Sequence, residues 1–388
     1  MSERAYLDWN ATAPLRAEAR AAMLSALDAA GNPSSVHGEG RAARALIEQA
    51  REQVAALAGA RPEHVVFTSG GTEANNLALT PDIQIGADRA PRDRLLVSAI
   101  EHPSVLAGGR FPATAVEMLP VTDEGIVDLG ALRAALANGG RPLVSVMLAN
   151  NETGIVQPIY EVAAIVHEAG GLLHVDAVQA AGRIALDIKA LGVDLLTLSA
   201  HKLGGPKGAG ALLRAHDSLH FPIPLLRGGG QERGLRAGTE NVAAIAGFGA
   251  AARAARRDAA AEAAAMLALR HALERGLKAA SPEVTIFGES AARLPNTTLF
   301  ALTGIKAETA LIGFDLAGIA VSSGSACSSG KVQASHVLSA MRVAPAVAGG
   351  AIRVSLGPST TPSEVEGFLE TWKKLFESLG KERRGIAA

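Results

Sequence analysis

The chain has 388 residues, 48% of them hydrophobic, and a formal net charge of −1. This length exceeds one typical core and predicts a large domain joined to a smaller one. The near-neutral charge gives no sign of nucleic acid or an anionic membrane as partner, and no apolar run approaches the roughly 20 residues that span a bilayer. The single cysteine, Cys327, excludes an internal disulfide. No signal-peptide core follows Met1, so we expect a cytoplasmic protein.

The first two thirds of the chain alternate predicted strands with predicted helices. An extended lead-in ends at Pro14, which starts a predicted helix through residue 27, and a second helix covers 38–57. Most of the strands are solidly apolar, which is typical of a mainly parallel sheet with helices on both faces. The strands are predicted at 64–68, 95–98, 115–119, 143–148, 172–176, 194–198 and 209–213. Three further helices are predicted: one that begins within 69–76, one over 129–137 and one over 159–169.

The last third predicts a smaller α+β unit behind one long connecting helix. Alanine, arginine and glutamate dominate 241–280, which suits such a helix with or without a break. The fold class is therefore α/β, with a large domain over 15–255 and a small domain formed by 1–14 with 256–388. Strands of the small unit are predicted at 284–286, 297–302, 319–321 and 352–354, and its helices at 307–316, 335–341 and 361–379.

Polar and reactive residues follow the ends of the predicted strands. Ligands in open α/β sheets bind at the carboxyl edge of the strands, so these residues are expected to share one site. Each alone has a structural explanation, but their common placement does not. They are Ser69-Gly70-Gly71-Thr72, His102, Asn151, Asp176, Gln179 and Ser199-Ala200-His201-Lys202.

Lys202 stands where an apolar strand meets a glycine-rich loop. Partial desolvation lowers the pKa of a lysine amine and makes it a nucleophile toward carbonyls. Such a lysine can hold an aldehyde cofactor as a Schiff base. The alternative is a lysine that simply reaches from the strand end to solvent.

The other strand-end residues each suit one part of a ligand. The Ser69–Thr72 turn opens a helix whose free N–H groups favour a phosphate, although a plain turn is the alternative. Asp176 ends a buried strand and needs a cationic partner, either a protonated pyridine nitrogen or an Arg or Lys. His102 can stack on a ring, shuttle protons or cap a loop. Asn151 and Gln179 can bond a ring hydroxyl or cap loops. Together these groups match the requirements of pyridoxal phosphate.

These stretches resemble the cysteine desulfurases of the NifS and IscS type, within the class V aminotransferase group. The resemblance covers nearly the full length. The matching stretches are Tyr6-Leu7-Asp8 with Asn10-Ala11-Thr12, Gly31-Asn32-Pro33-Ser34-Ser35, Phe67-Thr68-Ser69-Gly70-Gly71-Thr72-Glu73, Glu101-His102, Asn150-Asn151-Glu152-Thr153-Gly154, His174-Val175-Asp176-Ala177-Val178-Gln179, Ser199-Ala200-His201-Lys202, Gly228-Gly229-Gly230-Gln231-Glu232-Arg233-Gly234, Arg236-Ala237-Gly238-Thr239, Ser322-Ser323-Gly324-Ser325-Ala326-Cys327 and Ile352-Arg353-Val354-Ser355-Leu356-Gly357.

The resemblance implies a type I pyridoxal-phosphate transferase fold and a role for each matching residue. Lys202 would carry the Schiff base, Asp176 would pair with the pyridine nitrogen, and His102 would stack on the ring. Asn151 and Gln179 would lie near the ring oxygen. The phosphate would be held by Gly71, Thr72, Ser199 and His201.

The resemblance also implies the substrate site and the assembly. Arg353 would bind the substrate carboxylate, near Asn10 and Asn151, although a structural salt bridge is the alternative for Arg353. Thr239 would reach the phosphate of a partner subunit, which implies a homodimer. No zinc motif occurs in the sequence, and no residue is assigned as a metal ligand.

Cys327 selects the reaction within this group. It lies among serines and glycines, which cannot bury themselves, so we expect an exposed and mobile thiol rather than a small buried hydrophobe. The resemblance implies that Lys202, His102 and Cys327 are catalytic. L-cysteine would be converted to L-alanine, leaving a persulfide on Cys327. A scaffold protein would then accept the sulfur for iron–sulfur cluster assembly, with nitrogenase clusters as one destination.

Two alternatives to this reaction stay open at this point. One is another pyridoxal-phosphate enzyme, a selenocysteine lyase or an aminotransferase, and the other is a non-catalytic scaffold on the same fold. The residues alone support a Schiff-base lysine and an exposed thiol. The sequence departs from the family pattern at Ala13, where Thr is frequent, and at Arg342, where glycine is usual. If the backbone at Arg342 needs a positive φ, arginine strains the end of its helix.

Overall fold

The computed structural model describes residues 4–324 and 335–386, with side chains to residue 378. The described strands are β1 (Ala5–Tyr6), β2 (Val65–Thr68), β3 (Gln84–Ile85), β4 (Arg94–Ser98), β5 (Val116–Leu119), β6 (Pro142–Ser145), β7 (Leu172–Asp176), β8 (Leu195–Ser199), β9 (Gly210–Arg214), β10 (Leu219–His220), β11 (Thr285–Ile286), β12 (Thr297–Ala301), β13 (Ile319–Ala320), β14 (Ser322–Ser323) and β15 (Ile352–Ser355). The described helices are α1 (Ala17–Leu27), α2 (Gly38–Leu57), α3 (Gly71–Ala78), α4 (Pro103–Leu106), α5 (Leu129–Leu136), α6 (Ile159–Glu168), α7 (Val242–Ala280), α8 (Ala307–Leu316), α9 (His336–Ala340), α10 (Pro345–Ala348) and α11 (Pro362–Ile386).

Seven strands form one sheet in the order β2-β9-β8-β7-β6-β4-β5. The five strands from β8 to β5 in that order run parallel. β9 is antiparallel to both of its neighbours, because the chain turns back on itself after the glycine-rich loop that follows Lys202. The predicted mainly parallel sheet is confirmed. In a parallel sheet the carboxyl ends of the strands meet at one edge, and this brings the predicted site residues together.

Helices cover both faces of this sheet. In β4, Leu96 packs into the core that includes Val54 of α2 and Phe248 of α7. Its neighbour Leu95 points the other way, into the core that includes Leu77 of α3. Adjacent strand residues face opposite sides, so burial of both requires a layer of helices on each face. The predicted α/β fold class is confirmed.

A second, four-stranded sheet is built from the last third of the chain, in the order β11-β12-β15-β14, with all pairs antiparallel. Its core contains four aromatic side chains from β12, α8 and α11. Phe314 stacks on Phe368 with ring centroids 4.7 Å apart, and Phe300 meets Trp372 edge-on at 5.1 Å. β1 pairs in parallel with β13, so the N-terminus joins this unit. The domain boundaries at 14/15 and 255/256 stay a prediction.

The prediction that a helix starts at Pro14 is wrong, because α1 begins only at Ala17. The preceding backbone bonds instead to the loop around Lys202: the Ala13 N–H donates to the His201 carbonyl at 2.8 Å, and the Arg16 N–H donates to that of Gly204 at 2.9 Å.

The long helix α7 has no break over its 39 residues. None of the helices within the described residues combines the length and apolar character needed to cross a membrane.

Arg342 has a left-handed backbone, with φ of 57°. It follows α9 and closes it with two hydrogen bonds, from the Arg342 N–H to Ser339 O and from the Val343 N–H to Leu338 O, both at 3.0 Å. This pattern favours glycine at the position of Arg342. The backbone at Arg342 thus has the positive φ that the sequence analysis named as the source of strain, and the arginine is strained.

We expect Arg342→Gly to raise the free energy of unfolding by about 1 kcal/mol, because a Cβ costs roughly that much in the left-handed region. Arg342→Ala is the control, since it keeps the Cβ and removes the exposed contact of Arg342 with Asp123 at 2.5 Å. The free energies of unfolding of both variants are measured from their denaturant midpoints, with the denaturant dependence (the m value) unchanged. An alanine variant as stable as the glycine variant would show that backbone strain is not the cause.

Candidate active site

A cavity of about 270 Å³ lies at the carboxyl edge of the large sheet. Among the described residues to which the resemblance gives a role, all except Thr239 line it, which confirms their predicted proximity but does not test their roles. The predicted residues are Asn10, Gly71, Thr72, His102, Asn151, Asp176, Gln179, Ser199, His201, Lys202 and Arg353. The remaining lining residues are Ala11, Asn75, Ser104, Met147, Ala149 and Val178.

Lys202 ends the short 3₁₀ turn that follows β8 and lines the cavity. Its Nζ donates to the carbonyl oxygens of Asn10 at 2.6 Å and Ala11 at 2.9 Å. The amine is therefore held against the N-terminal segment at the wall of the cavity. It does not reach out to solvent, which was the alternative considered from the sequence. An amine in this position can meet a carbonyl group bound in the cavity.

Asp176 is buried at the end of β7 and accepts two hydrogen bonds from neutral groups. Asn75 Nδ2 donates to Asp176 Oδ2 at 2.8 Å, and the Val178 N–H donates to Oδ1 at 3.0 Å. Neither partner is the Arg or Lys considered from the sequence. A carboxylate that is held by neutral donors and lines a cavity can pair with a cationic ligand group.

His102 both caps α4 and lines the cavity. Its Nδ1 accepts from the Ser104 N–H at 3.2 Å and lies 2.7 Å from Ser104 Oγ, which itself accepts from Asn75 Nδ2 at 2.9 Å. These contacts assign the proton of the neutral ring to Nε2. Burial lowers the pKa of His102, with Asp176 opposing and Lys202 adding to the shift. The ring is therefore neutral at pH 7.

The start of α3 offers backbone N–H groups to an anion. Its N-cap is Gly70, which has no side chain to bond them. A Cβ on Gly71 would lie 3.1 Å from Val178 Cγ2 and 3.4 Å from Ser199 Cβ, so glycine leaves room for the backbone to approach a ligand. His201 is neutral here, because burial, Lys202 and Lys207 lower its pKa to about 4.

Arg353 is buried on β15 and links the two sheets. Its Nη2 donates to Asp8 Oδ1 at 2.8 Å, and its Nη1 donates to the Asn151 carbonyl at 2.9 Å. The structural salt bridge considered from the sequence thus exists. Arg353 nevertheless lines the cavity, so its side chain borders the space that a ligand would occupy.

Asn10 lines the cavity and also forms hydrogen bonds that connect neighbouring parts of the fold. Its side chain bonds Thr297 Oγ1 at 2.9 Å and Asn296 Nδ2 at 3.1 Å, while its carbonyl accepts from Gln179 Nε2 at 3.0 Å. Gln179 Oε1 also accepts from Arg183 Nη1 at 2.5 Å. One N–H of Gln179 is left over from these contacts and can reach a ligand oxygen.

Sequence reasoning missed several buried polar residues around the cavity. Asn75 lies one turn after Gly71 on the same face of α3, and that i, i+4 spacing could have revealed it. Arg183 carries no comparable signal: it is buried, and burial together with Arg353 lowers its pKa to about 9. Its Nη2 donates to the Trp9 and Lys202 carbonyls, and neither of these contacts could be read from the sequence.

Among the described residues, one predicted site residue lies apart from the cavity. Thr239 is exposed and lines a separate cavity of about 180 Å³. Cys327 lies outside the described residues, in the segment 325–334. The described chain reaches that segment on both sides, at Gly324 and at Ser335.

Comparison with known proteins bears on the whole chain. A model of the class V aminotransferase family matches residues 5–368. The chain belongs to this family. It is 43% identical to a cysteine desulfurase of Cereibacter sphaeroides, over 97% of each chain, and 41% identical to cysteine desulfurase IscS of Dictyoglomus turgidum, over 98% of this chain and 96% of that one. The structure of a NifS-like protein from Rickettsia africae shares 37% identity and a TM-score of 0.86, over 97% of this chain and 100% of that one.

The family depends on pyridoxal 5'-phosphate, so the predicted family, fold and cofactor are confirmed. The residues of the cavity fit this cofactor. Asp176 is a buried carboxylate that accepts from the neutral Asn75 amide and Val178 N–H, and the glycine-lined start of α3 leaves space that a Cβ would fill. Lys202 lies at the wall of the same cavity.

We expect Asn75→Ala to weaken pyridoxal-phosphate binding about tenfold, because a hydrogen bond to a charged group contributes about 1.5 kcal/mol and orients the carboxylate of Asp176. Absorbance titration of the apoprotein measures the affinity. Asn76→Ala is the control, since the Asn76 amide bonds only the Thr72 carbonyl of its own helix in the contacts given by the structure. Equal affinities of the two variants would contradict this role.

Proposed function

We propose that the protein is a cysteine desulfurase, which takes sulfur from L-cysteine, releases L-alanine and leaves a persulfide on Cys327. The cavity supports this proposal, because it brings Lys202, Asp176 and Arg353 together at one sheet edge. The full-length similarity to proteins named cysteine desulfurase supports it independently.

The residues that would hold the cofactor follow from the cavity. When bound, pyridoxal phosphate supplies an electron sink for negative charge at the α-carbon of an amino acid. Asp176 would pair with its ring nitrogen and the neutral imidazole of His102 would face its ring. Gln179 and Asn151 would serve the ring oxygen. Its phosphate would be held by Gly71, Thr72, Ser199 and His201, through neutral N–H and O–H donors.

The chain's own groups would orient the substrate and move its proton. Arg353 would bind the carboxylate of L-cysteine, since Asp8 and the Asn151 carbonyl hold the guanidinium in place. Asn10 would fix the wall beside it. Lys202 Nζ would accept the α-proton, because the carbonyl oxygens of Asn10 and Ala11 position the amine at this wall.

Cys327 would take the sulfur as a thiolate. Its sulfur attacks the sulfur of the substrate, so an S–S bond forms while the C–S bond of the substrate breaks. The electron pair of that bond stays with carbon, which takes up a proton and becomes the methyl group of alanine. The Cys327 sulfur is oxidised and the substrate carbon reduced, so no outside oxidant is needed.

We expect Cys327→Ala to bind pyridoxal phosphate normally but to release no sulfide from L-cysteine. Lys202→Ala should lose both the covalent attachment of the cofactor and all turnover. The measurements are cofactor absorbance, alanine, sulfide, and the intact mass of the wild type after L-cysteine, where one added sulfur is expected. Undiminished sulfide release by Cys327→Ala would overturn the persulfide mechanism. A wild type that forms only a transaminated keto acid would point to an aminotransferase instead.

The assembly is part of the same proposal. We propose a cytoplasmic homodimer, with domains at 15–255 and at 1–14 with 256–388, that passes sulfur to a scaffold protein for iron–sulfur clusters. Thr239 supports the dimer, because it is exposed and lines a cavity other than that of Lys202. Thr239 would then reach the phosphate bound by the partner subunit.

Mixed dimers test whether Thr239 acts across subunits. A dimer of one Lys202→Ala chain and one Thr239→Ala chain should keep one complete site, because the first chain supplies Thr239 to the second. A dimer of a double-variant chain with a wild-type chain should keep none. Cofactor affinity and turnover measured on both dimers would show the reverse order if Thr239 serves its own chain.

A further inference from the structure

Arg183 is a buried cation that lies behind the wall of the cavity and has no part in the reaction proposed above. Its Nη1 donates to Gln179 Oε1 at 2.5 Å and to the Gln179 carbonyl at 2.6 Å. Its Nη2 donates to the carbonyls of Lys202 at 3.3 Å and of Trp9 at 3.4 Å. Gln179 and Lys202 line the cavity, whereas Arg183 is not among its lining residues. Arg183 therefore contacts residues of the cavity wall without bordering the cavity itself.

The partners of Arg183 are neutral oxygens. No carboxylate is paired with it in the part of the chain that the structure describes, and the groups that act on its pKa include none. Burial, with a smaller effect from the charge of Arg353, lowers the pKa of Arg183 to about 9, so the guanidinium is still charged at pH 7. A charged guanidinium has N–H donors and no acceptor, so any group that bonds it must present an acceptor.

The two ends of the Gln179 amide are fixed by the groups that face them. The oxygen and nitrogen of a side-chain amide are assigned from their hydrogen-bond partners. On one side Arg183 can only donate, so Oε1 faces it. On the other side the Asn10 carbonyl can only accept, so Nε2 faces it, at 3.0 Å. Exchanging the two ends of the amide would place donor against donor and acceptor against acceptor.

This orientation leaves a donor for the cavity. The Nε2 group of Gln179 carries two N–H bonds, of which the Asn10 carbonyl takes one. Because Gln179 lines the cavity, the second N–H is available to a ligand oxygen. The charge of Arg183 beside Oε1 also polarises the amide, since hydrogen bonds in a chain strengthen one another. An anionic oxygen is the ligand group that suits such a donor best.

We propose that Arg183 is a positioning residue, which fixes the amide of Gln179 so that an N–H rather than an oxygen meets the ring oxygen of pyridoxal phosphate. The ring hydroxyl ionises readily when the pyridine nitrogen is protonated, so its oxygen accepts hydrogen bonds rather than donating them. The inference rests on the proposed function for the place of the ring oxygen beside Gln179. The contacts of Arg183 stand without it.

The test compares two ligands that differ only in the ring hydroxyl. Pyridoxamine 5'-phosphate has an amine in place of the aldehyde, so it cannot bind covalently to Lys202, and the second ligand is the same compound without the ring hydroxyl. Calorimetric titration of the apoprotein gives a Kd for each. We expect the wild type to bind the compound with the hydroxyl about tenfold more tightly, because one hydrogen bond to a charged oxygen contributes about that much.

Three variants of Arg183 separate its donors from its bulk. Arg183→Met should reduce the preference for the ring hydroxyl to about twofold or less, because the Gln179 amide can then turn its oxygen toward the ring oxygen. Arg183→Lys keeps a side chain that can only donate, so it should retain most of the preference. Arg183→Gln, whose amide can accept as well as donate, should lose the preference, and it replaces Arg183→Met if that variant does not fold.

Two further variants show whether Arg183 acts through Gln179. Gln179→Leu should itself remove the preference, and adding Arg183→Met to it should cause no further change. The matched control is Arg270→Met, since Arg270 is also buried and donates to a backbone carbonyl, that of Leu294 at 2.5 Å, but lies on α7 and is not among the lining residues. Arg270→Met should keep the preference of the wild type.

The proposal is overturned if Arg183→Met and Arg183→Gln keep the wild-type preference, even where both ligands bind more weakly, because a purely structural role weakens both alike. It is also overturned by a wild type that binds the two ligands equally. An effect of Arg183→Met on the preference that persists in the Gln179→Leu background contradicts it as well, since Arg183 would then act without Gln179.

The two proposals fail in different ways, because these titrations involve no L-cysteine. If L-cysteine gives alanine and sulfide while the preference is independent of Arg183, the positioning role is wrong and the desulfurase proposal stands. If the preference depends on Arg183 but L-cysteine is not converted, the positioning role stands and the proposed reaction is wrong.

Discussion

The cavity depends on one stretch of backbone, residues 7–13, which lies between the two sheets. Its N–H groups and carbonyls bond on one side to the small sheet, where the Ser355 N–H donates to the Leu7 carbonyl at 2.8 Å. On the other side its Ala13 N–H donates to the His201 carbonyl, and the Asn10 carbonyl accepts from Lys202 Nζ. Because backbone groups must be satisfied when buried, this stretch joins Lys202 to the unit that supplies Arg353.

Charged groups in this interior are stabilised by hydrogen bonds rather than left alone. The two Nη atoms of Arg353 donate to the Asn151 carbonyl and to Asp8, and Asp176 accepts from an amide and an N–H. Both of these donors are neutral groups, and a buried carboxylate held by neutral donors can pair with a cationic ligand group.

Much of this could be predicted from the sequence, and the failures have physical causes. The strand ends identified Lys202 and Asp176 because apolar strands in an α/β fold place their carboxyl ends at one edge. Glu152 is different, since it stood in a matching motif but its hydrogen bond to Ser335 joins residues 183 positions apart, which no local pattern reveals. The start of α1 was misplaced because Pro14 is a helix-start signal, and tertiary hydrogen bonds of Ala13 and Arg16 overrode it.

The sequence by itself determined the local structure: the apolar strands, the amphipathic helices, and the reactive residues that follow the strands. Those properties depend on neighbours along the chain, within the reach of helix and strand periodicity. The tertiary structure alone decided that the Asn10 carbonyl meets Lys202, that Arg353 meets Asp8, and that Asn75 turns two donors toward Asp176 and Ser104. These partners are separated by up to 345 residues, and only tertiary packing, within the large unit and between the two sheets, brings them within hydrogen-bonding distance.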